Sequence, residues 1–486
     1  MGRAAMAIWL LVACTTRLWV MWHEPAYLHP DALGQALEPA FRVVTGHGDI
    51  AWEWQQGVRS WAWPGLFVPV FALASAFDAP RPEIGMAPWV AAARLVPLAL
   101  DLVAGWLAIR LAVRQAMAAR WSGPLAAIAP MAVAGLTALH PAWVEMAGQP
   151  LIDVPAATAL LAFCAALTAP AQAPRRSLAI GVAAAVVVML RVQLLPGVLL
   201  GLVLHSPRWA ARVGAAPWSW RALVLGACAG MAPFALVDLW TWGAPFASTM
   251  AYLRFNAAGG QAAFGTMPPD RYFEHLQLAL PMIWPVLGVL AALGARRAPT
   301  LAAVLVVTVL SHQLVPMRIW RALHPALWLL PILAGLGAAE LAARLQARHR
   351  PWWPALAVAL LLALGSVGVA ARDGTLWRTT WLWNQGGEEA VGLSRALNRA
   401  ALAVSAGPPV QTVLQAVLPE AAAPGHALFG HDVRVQHPLG RPQGPDLRAV
   451  READVWVVRA AAVPARARRD RHCRDGYGAD VLVCWR

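Results

Sequence analysis

The stretch HPDALGQALEPAFRVVTGHGDIAWEWQQGVRSWAWP, residues 29–64, follows the first apolar run of the chain, residues 4–22. Pro30 suits the first turn of a helix. From there Asp31, Gln35, Glu38 and Arg42 recur at steps of 4, 3 and 4, which places them on one helical face. Leu33, Leu37, Ala40 and Val44 fall elsewhere and can meet protein or lipid. One helix would thus present a carboxylate, an amide, a second carboxylate and a guanidinium in a row. Asp31 lies in the first turn, where the helix dipole favours its ionised form. Glu38 and Arg42 are spaced as an i,i+4 pair. The same pattern also suits an amphipathic helix lying in a membrane interface. The Trp residues that follow, Trp52, Trp54, Trp61 and Trp63, fit an interfacial aromatic belt or a surface for stacking sugar or lipid. Glu53 and Arg59 fit bracing of the loop.

Working outward, the 486 residues are 59% hydrophobic and 13% charged, with mean hydropathy +0.53. That is about half the charge of an ordinary soluble domain. Apolar segments recur at 4–22, 62–77, 88–111, 123–140, 150–168, 178–190, 193–205, 221–240, 277–295, 299–315, 321–346 and 351–371. Many approach the roughly 20 residues that cross a bilayer as a helix. The chain reads as an all-α polytopic membrane protein, and the first segment as a span rather than a cleaved leader.

The basic residues orient it. All are Arg, and with the abundance of Ala, Gly and Pro this suggests a GC-rich bacterial genome. The net charge of +14 is better explained by positive-inside loops and a basic tail than by nucleic-acid binding. Inner loops would hold Arg110, Arg114 and Arg120; Arg175 and Arg176; Arg208 and Arg212; Arg296 and Arg297; and Arg344, Arg348 and Arg350. Segment 62–77 is short and broken by Pro64 and Pro69, so it is expected to lie along the membrane without crossing. About 11 spans remain, with the N-terminus inside and the C-terminus outside. Polar segments 23–61, 141–149, 191–193, 241–276 and 312–320 then share the outer face. Ionisable groups at such depth are costly and point to function.

Residues 1–371 are expected to form the transmembrane domain, with 23–77 its large first outer loop. Residues 372–486 have soluble composition and read as a small α/β extracytoplasmic domain, with a helix at 388–402 and strands at 455–459 and 481–485. Cys14, Cys164 and Cys228 sit in apolar segments; Cys473 and Cys484 lie in the tail, where an oxidising exterior would allow a disulfide. No metal-ligand spacing appears.

The first outer loop resembles that of the family 22 glycosyltransferases, the mannosyltransferases of GPI-anchor and N-glycan assembly in the GT-C superfamily. The resemblance is gapless at His29, Pro30, Asp31, Gln35, Glu38, Arg42, Gly48, Trp52, Glu53, Trp54, Arg59, Ser60 and Pro64. The chain departs at Ala32, Phe41 and Ala51, where the family carries Glu, His and Thr. Similar residues continue at Arg94, Asp101, Asp153, Arg191, Pro196, Asp238, Trp242, Gly243, Tyr252, Phe255, Asn256, Tyr272 and Phe273. Pro316, Arg318 and Arg321 stand where the family has a Pro, a basic centre and an Arg; Met317 and Ile319 replace its His and Glu.

This resemblance implies an inverting transfer of a sugar, most simply mannose, from a polyprenyl-phosphate donor to a hydroxyl of a glycan or glycolipid acceptor. Asp31 would be the base, and Arg318, Arg321 and Arg191 would bind the donor phosphate. His29, Gln35, Glu38, Arg42, Glu53, Arg59, Asp153, Asn256 and Tyr272 would contact substrate or organise the loop. No cofactor and no metal is implied, and the place is a bacterial plasma membrane with the site outside. A transporter of a lipid-linked sugar is the alternative, although transporters place ionisable groups near the midplane between repeated halves. An inactive scaffold relative is another. An Asp31→Cys variant should react with an impermeant thiol reagent applied outside intact cells; protection from the reagent would overturn this topology.

Overall fold

The computed structural model describes residues 3–23, 31–46, 48, 50–76, 88–144, 146–169, 173–206, 208–210, 218–260, 262, 266–280, 283–348 and 400, and five short strands beyond them. Helix α1 (Arg3–His23) comes first, and the first loop supplies α2 (Glu38–Thr45), α3 (Trp52–Gln55) and α4 (Val68–Ala76). Then come α5 (Pro88–Ala118), α6 (Gly123–Leu139), α7 (Pro141–Val144), α8 (Asp153–Leu167), α9 (Ala173–Leu190) and α10 (Leu195–Leu204). The second half holds α11 (Trp220–Trp242), α12 (Ala247–Ala257), α13 (Arg271–Ala279), α14 (Trp284–Ala295), α15 (Pro299–Gln313), α16 (Trp320–Leu327) and α17 (Leu329–Ala347).

Among the described residues, four helical stretches are long and apolar enough to cross a membrane: Ala4–Met21, Ala91–Ala118, Trp220–Trp242 and Leu329–Ala347. Shorter apolar helices, among them Gly123–Leu139 and Asp153–Leu167, complete the bundle. The expected span at 351–371 lies outside the described residues, as does the helix expected at 388–402 save for Ala400. Helix α4 has nine residues. At 1.5 Å per residue it rises about 14 Å, about half a bilayer core.

Three expected elements come out differently. The helix from Asp31 is not α-helical at first: Ala32–Leu37 form a π-helical turn, and the Glu38 N–H bonds to the Leu33 carbonyl, five residues back. The physical cause is Pro39, which has no N–H for the Gln35 carbonyl and whose ring would crowd it. The wider turn relieves both problems. The run 321–346 is two helices that break at Trp328. The run 277–295 is likewise divided, into α13 and α14.

With no water between lipid-bathed helices, small residues let backbones approach. A Cβ on Gly226 of α11 would collide with the Leu178 carbonyl of α9, and one on Gly181 with the Leu223 carbonyl. Gly294 of α14 and Gly337 of α17 meet the Leu333 and Leu290 carbonyls in the same reciprocal way. Helix α8 is buried along most of its length, including Asp153, Leu160, Leu161, Phe163 and Cys164. A buried ion pair, Arg17 Nε to Asp101 Oδ2 at 2.7 Å, joins α1 to α5, and Arg17 also donates to the Thr137 carbonyl at 2.9 Å.

The C-terminal strands are β1 (Thr412–Ala416), β2 (Arg434–Gln436), β3 (Val455–Arg459), β4 (His472–Arg474) and β5 (Val481–Trp485). They form one sheet in the order β2-β1-β3-β5-β4. β1 runs parallel to β2 and β3, while β5 runs antiparallel to β3 and β4. The register sets Cys473 opposite Cys484, and Cys484 is disulfide-bonded.

Gly226→Val should force α9 and α11 apart and cost about 1–3 kcal/mol. The readout is a lower unfolding midpoint of the detergent-solubilised protein. A melting curve superimposable on wild type would mean the two helices do not touch there.

Candidate active site

Asp31 opens the π-helical turn and faces Arg321 of α16. Its carboxylate pairs with Arg321 Nη2. Arg321 Nη1 lies 3.6 Å from Asp153 Oδ2, and Asp153 Oδ1 accepts from Arg191 Nη2. Residues from the first loop, α8, the α9–α10 break and α16 therefore form a single line of alternating charge: Asp31, Arg321, Asp153, Arg191. Arg191 takes part because the helix stops there; its backbone is extended (φ −147°, ψ 93°) before the turn at Val192–Leu194. Side-chain exposure grades the carboxylates: 20% for Asp31, 9% for Glu53 and 0% for Asp153.

A second group stands beside the first. Glu53 Oε1 accepts from Gln35 Nε2 at 2.8 Å and lies 3.6 Å from Arg59 Nη2. The Arg59 guanidinium sits 5.8 Å from the centre of the Tyr252 ring, close enough for a cation–π contact. Gln193 Nε2 bonds to the Tyr252 hydroxyl. These groups line two adjoining clefts that share Asp31, Gln35, Val58, Arg59, Arg191, Gln193 and Tyr252. The larger, about 210 Å³, is closed by Trp52, Phe255, Tyr272, His312, Met317, Ile319 and Arg321. The smaller, about 80 Å³, runs toward Val188, Met189, Leu190 and Phe234 of α9 and α11.

The first loop is fastened to the second half of the chain. Asp238 of α11 accepts from Ser60 Oγ at 2.9 Å and from the Ser248 backbone and hydroxyl at 2.9 and 2.5 Å. The Trp242 indole N–H donates to the Arg59 carbonyl at 3.1 Å, and its ring stacks on Trp54 with centroids 6.4 Å apart. The Trp63 indole donates to the Pro150 carbonyl at 3.0 Å, tying the loop to the entrance of α8.

The expected site residues divide by position. Asp31, Gln35, Glu53, Arg59, Arg191, Tyr272 and Arg321 line the larger cleft, and Asp153 lies directly behind it. Glu38 is buried and lines neither cleft; its face is displaced by the π-helical turn. Arg42 donates to the Gly48 carbonyl at 2.8 Å, closing the loop on itself. A Cβ at Gly48 would stand 2.7 Å from the Glu38 carbonyl oxygen and 2.8 Å from Arg42 Cβ, so this close approach requires glycine. Asn256 donates to the Tyr252 carbonyl within α12 at 2.8 Å. His29 lies outside the described residues.

Arg318 points elsewhere than Arg321. Its Nε donates to Gln313 Oε1 at 3.0 Å, Nη2 to the Gln313 carbonyl at 2.8 Å, and Nη1 to the Met267 carbonyl. It fastens 313–318 to the chain before α13 and lines neither cleft. Burial raises the Tyr272 hydroxyl above its ordinary pKa, against the opposing pull of Arg191 and Arg318, so it stays a neutral donor in the cleft wall. Gln193, Tyr252, Phe255 and Met317 were not assigned to the site from sequence, and Trp52 was read as a belt or sugar-stacking residue. Their signal was present only as position: Gln193 two residues from Arg191, and Tyr252 and Phe255 within a resembling stretch. Among the described residues, no three His, Cys, Asp or Glu side chains converge as metal ligands.

A helical membrane bundle whose first loop folds over a charged cleft defines the class. The fold is similar to ArnT from Cupriavidus metallidurans, solved bound to undecaprenyl phosphate, with TM-score 0.59, 16% identity, and coverage of 100% of this chain and 98% of that one. The apo form of the same protein matches with TM-score 0.54 and 17% identity over 99% and 98% of the two chains. The chain belongs to the Alg9-like mannosyltransferase family, whose model matches residues 8–371. Among curated relatives, GPI mannosyltransferase 3 of Yarrowia lipolytica is 26% identical over 341 residues, 69% of this chain and 63% of that protein. Mannosyltransferase APTG1 of Arabidopsis thaliana is 38% identical over 58 residues, 12% and 11% of the two chains. GPI mannosyltransferase 3 of Candida glabrata is 43% identical over 47 residues, 10% and 8%. The chain thus spans about a tenth of the length of these last two and 63% of the Yarrowia protein.

Arg318→Met should lower the unfolding midpoint of the purified protein, with a loss of about 1–3 kcal/mol for carbonyls left without donors. An unchanged midpoint would mean that this guanidinium is not a structural tie.

Proposed function

We propose that this protein is an inverting glycosyltransferase that moves a sugar, mannose by family likeness, from a polyprenyl-phosphate donor to a hydroxyl of a glycan or glycolipid. The observation that carries the reading is Asp31, the most exposed carboxylate of the charged cleft, set against the guanidinium of Arg321. A single displacement needs one base beside the attacking hydroxyl and cations beside the leaving phosphate. The acceptor oxygen attacks the anomeric carbon from the face opposite the phosphate. Its proton passes to Asp31. The bond from the anomeric carbon to the phosphate oxygen breaks, and the electron pair leaves with polyprenyl phosphate. The sugar ends with inverted configuration.

Arg321 and Arg191 are the phosphate partners in this reading, because both line the cleft and guanidinium pairs well with phosphate oxygens. Arg318 is the third cation the resemblance implies, and its carbonyl bonds place it behind them in order of preference. Tyr272, Gln35, Gln193 and Glu53 offer the hydroxyl, amide and carboxylate groups that orient sugar hydroxyls, while Trp52 and Phe255, with ring centres 5.0 Å apart, offer apolar faces to a pyranose. The reading places the enzyme in a bacterial plasma membrane with its cleft and C-terminal domain on the extracytoplasmic side, where lipid-linked sugars of this kind are consumed.

The test is sugar transfer by purified protein in detergent, supplied with polyprenyl-phosphate mannose and a membrane glycan extract from the source cells. Wild type should transfer, and a folded Asp31→Asn variant should lose roughly 10²–10⁴-fold in rate. Unchanged activity in Asp31→Asn would remove the base. Failure of wild type with mannose and with other lipid-linked sugars would favour the transporter reading.

A further inference from the structure

The larger cleft is rich in hydrogen-bond donors. The guanidiniums of Arg59, Arg191 and Arg321 and the Tyr272 hydroxyl border it. These can meet the oxygen lone pairs of a sugar phosphate. A sugar hydroxyl also carries a proton, which needs an acceptor. The carboxylates nearby are already engaged: Asp31 with Arg321, Glu53 with Gln35, and Asp153 with Arg191. One acceptor in the wall is differently placed. His312 stands in the last turn of α15 and is only 3% exposed, yet its ring borders the cleft. Its Nδ1 lies 2.8 Å from the Thr308 carbonyl, one turn back. A carbonyl can only accept, so Nδ1 carries the proton. In the neutral ring, the ordinary form above a pKa of about 6.5, Nε2 is then an acceptor. Among the described residues Nε2 has no hydrogen-bond partner. The residue that holds Nδ1 is itself held: α15 and α10 meet so closely at Thr308 that a Cβ on Gly197 would collide with its hydroxyl. A nearly buried acceptor kept open beside a cleft is a place for a ligand's donor.

We propose, resting on the donor-phosphate reading above, that His312 Nε2 accepts a hydrogen bond from a hydroxyl of the donor sugar, which makes His312 a specificity-determining residue. His312 and Arg321 border the larger cleft and not the smaller. The sugar is bonded directly to the phosphate that Arg321 and Arg191 would hold. The polyprenyl chain has no hydroxyl, and a phosphodiester at neutral pH has no proton to give. The sugar is therefore the part of the donor able to satisfy Nε2. The Tyr272 hydroxyl is buried in the same wall and, among the described residues, has no hydrogen-bond partner. It supplies the complementary donor. A ligand without the sugar leaves Nε2 open and gains nothing from it.

Calorimetric titration of the full-length protein in detergent, with mannosyl farnesyl phosphate and with farnesyl phosphate, isolates the contribution of the sugar. Wild type should bind the mannosyl ester more tightly. Two substitutions divide the two jobs of the ring. The short amide of His312→Asn can replace Nδ1 toward Thr308 but has no atom at the place of Nε2. The longer amide of His312→Gln can set an oxygen there but gives up the Thr308 bond. His312→Asn should weaken binding of the mannosyl ester roughly fivefold, the loss of one neutral hydrogen bond, and that of farnesyl phosphate by less than about twofold. His312→Gln should bind the mannosyl ester within about twofold of wild type while unfolding at a lower temperature than His312→Asn. Where His312→Asn does not fold, His312→Phe keeps a ring without the acceptor and takes its place. Unchanged binding of the mannosyl ester in His312→Asn overturns the assignment. So does an equal loss for both ligands, an equal loss in both variants, or a wild type that binds the two ligands alike. Wild type that binds farnesol as well as farnesyl phosphate, or binds none of the three, overturns the donor-phosphate reading and the assignment together.

Discussion

Everything at the cleft depends on one carboxylate that water does not reach. Asp153 is fully buried at the start of α8, and a buried charge is stable only if paired. Its two partners, Arg191 and Arg321, come from segments 38 and 168 residues further along the chain. That requirement fixes how the α9–α10 break and the start of α16 approach α8. Were both guanidiniums absent, Asp153 would be an uncompensated charge in the protein interior. The cleft floor is therefore specified by electrostatics in a bundle where hydrophobic burial alone discriminates poorly between helix arrangements.

The same device recurs away from the cleft. Arg17 and Asp101 fix α1 against α5, and Asp238 fixes the first loop to the junction of α11 and α12. Apolar faces in lipid can slide or rotate with little penalty, whereas a paired charge has one good register. Reciprocal glycines between α9 and α11 and between α14 and α17 then bring backbones close enough for dispersion forces to hold the rest. Polar pairs set the arrangement, and small residues permit it to close.

Much of this was legible in the sequence because its signals are local. Apolar runs announce helices, and the spacing of residues 29–64 marks a loop with Asp31 at its head. What escaped was decided by distant partners. Arg318 and Arg321 are three residues apart and chemically identical, yet one turns toward the carbonyls of Met267 and Gln313 and the other toward Asp31, 290 residues away in the chain. No local pattern distinguishes them. A regular α-helix with the expected spacing of Asp31, Gln35, Glu38 and Arg42 would leave the Gln35 carbonyl without a donor, because Pro39 has no N–H. The π-helical turn keeps Asp31 and Gln35 at the cleft and carries Glu38 out of it.

The fastening of the first loop also bears on how the chain is made. Ser60 reaches Asp238 across 178 residues, and the neighbouring Arg59 carbonyl waits for the indole of Trp242. During synthesis at 5–20 residues per second, the loop has no such anchor for roughly 10–40 s after it emerges. Until α11 is inserted, the Ser60 hydroxyl, the Arg59 carbonyl and the Trp54 ring lack their contacts with Asp238 and Trp242. Assembly of the cleft is therefore a late event, completed from the far end of the chain. Any chain that stalls or is cut before α11 would leave the loop without its ties to Asp238 and Trp242.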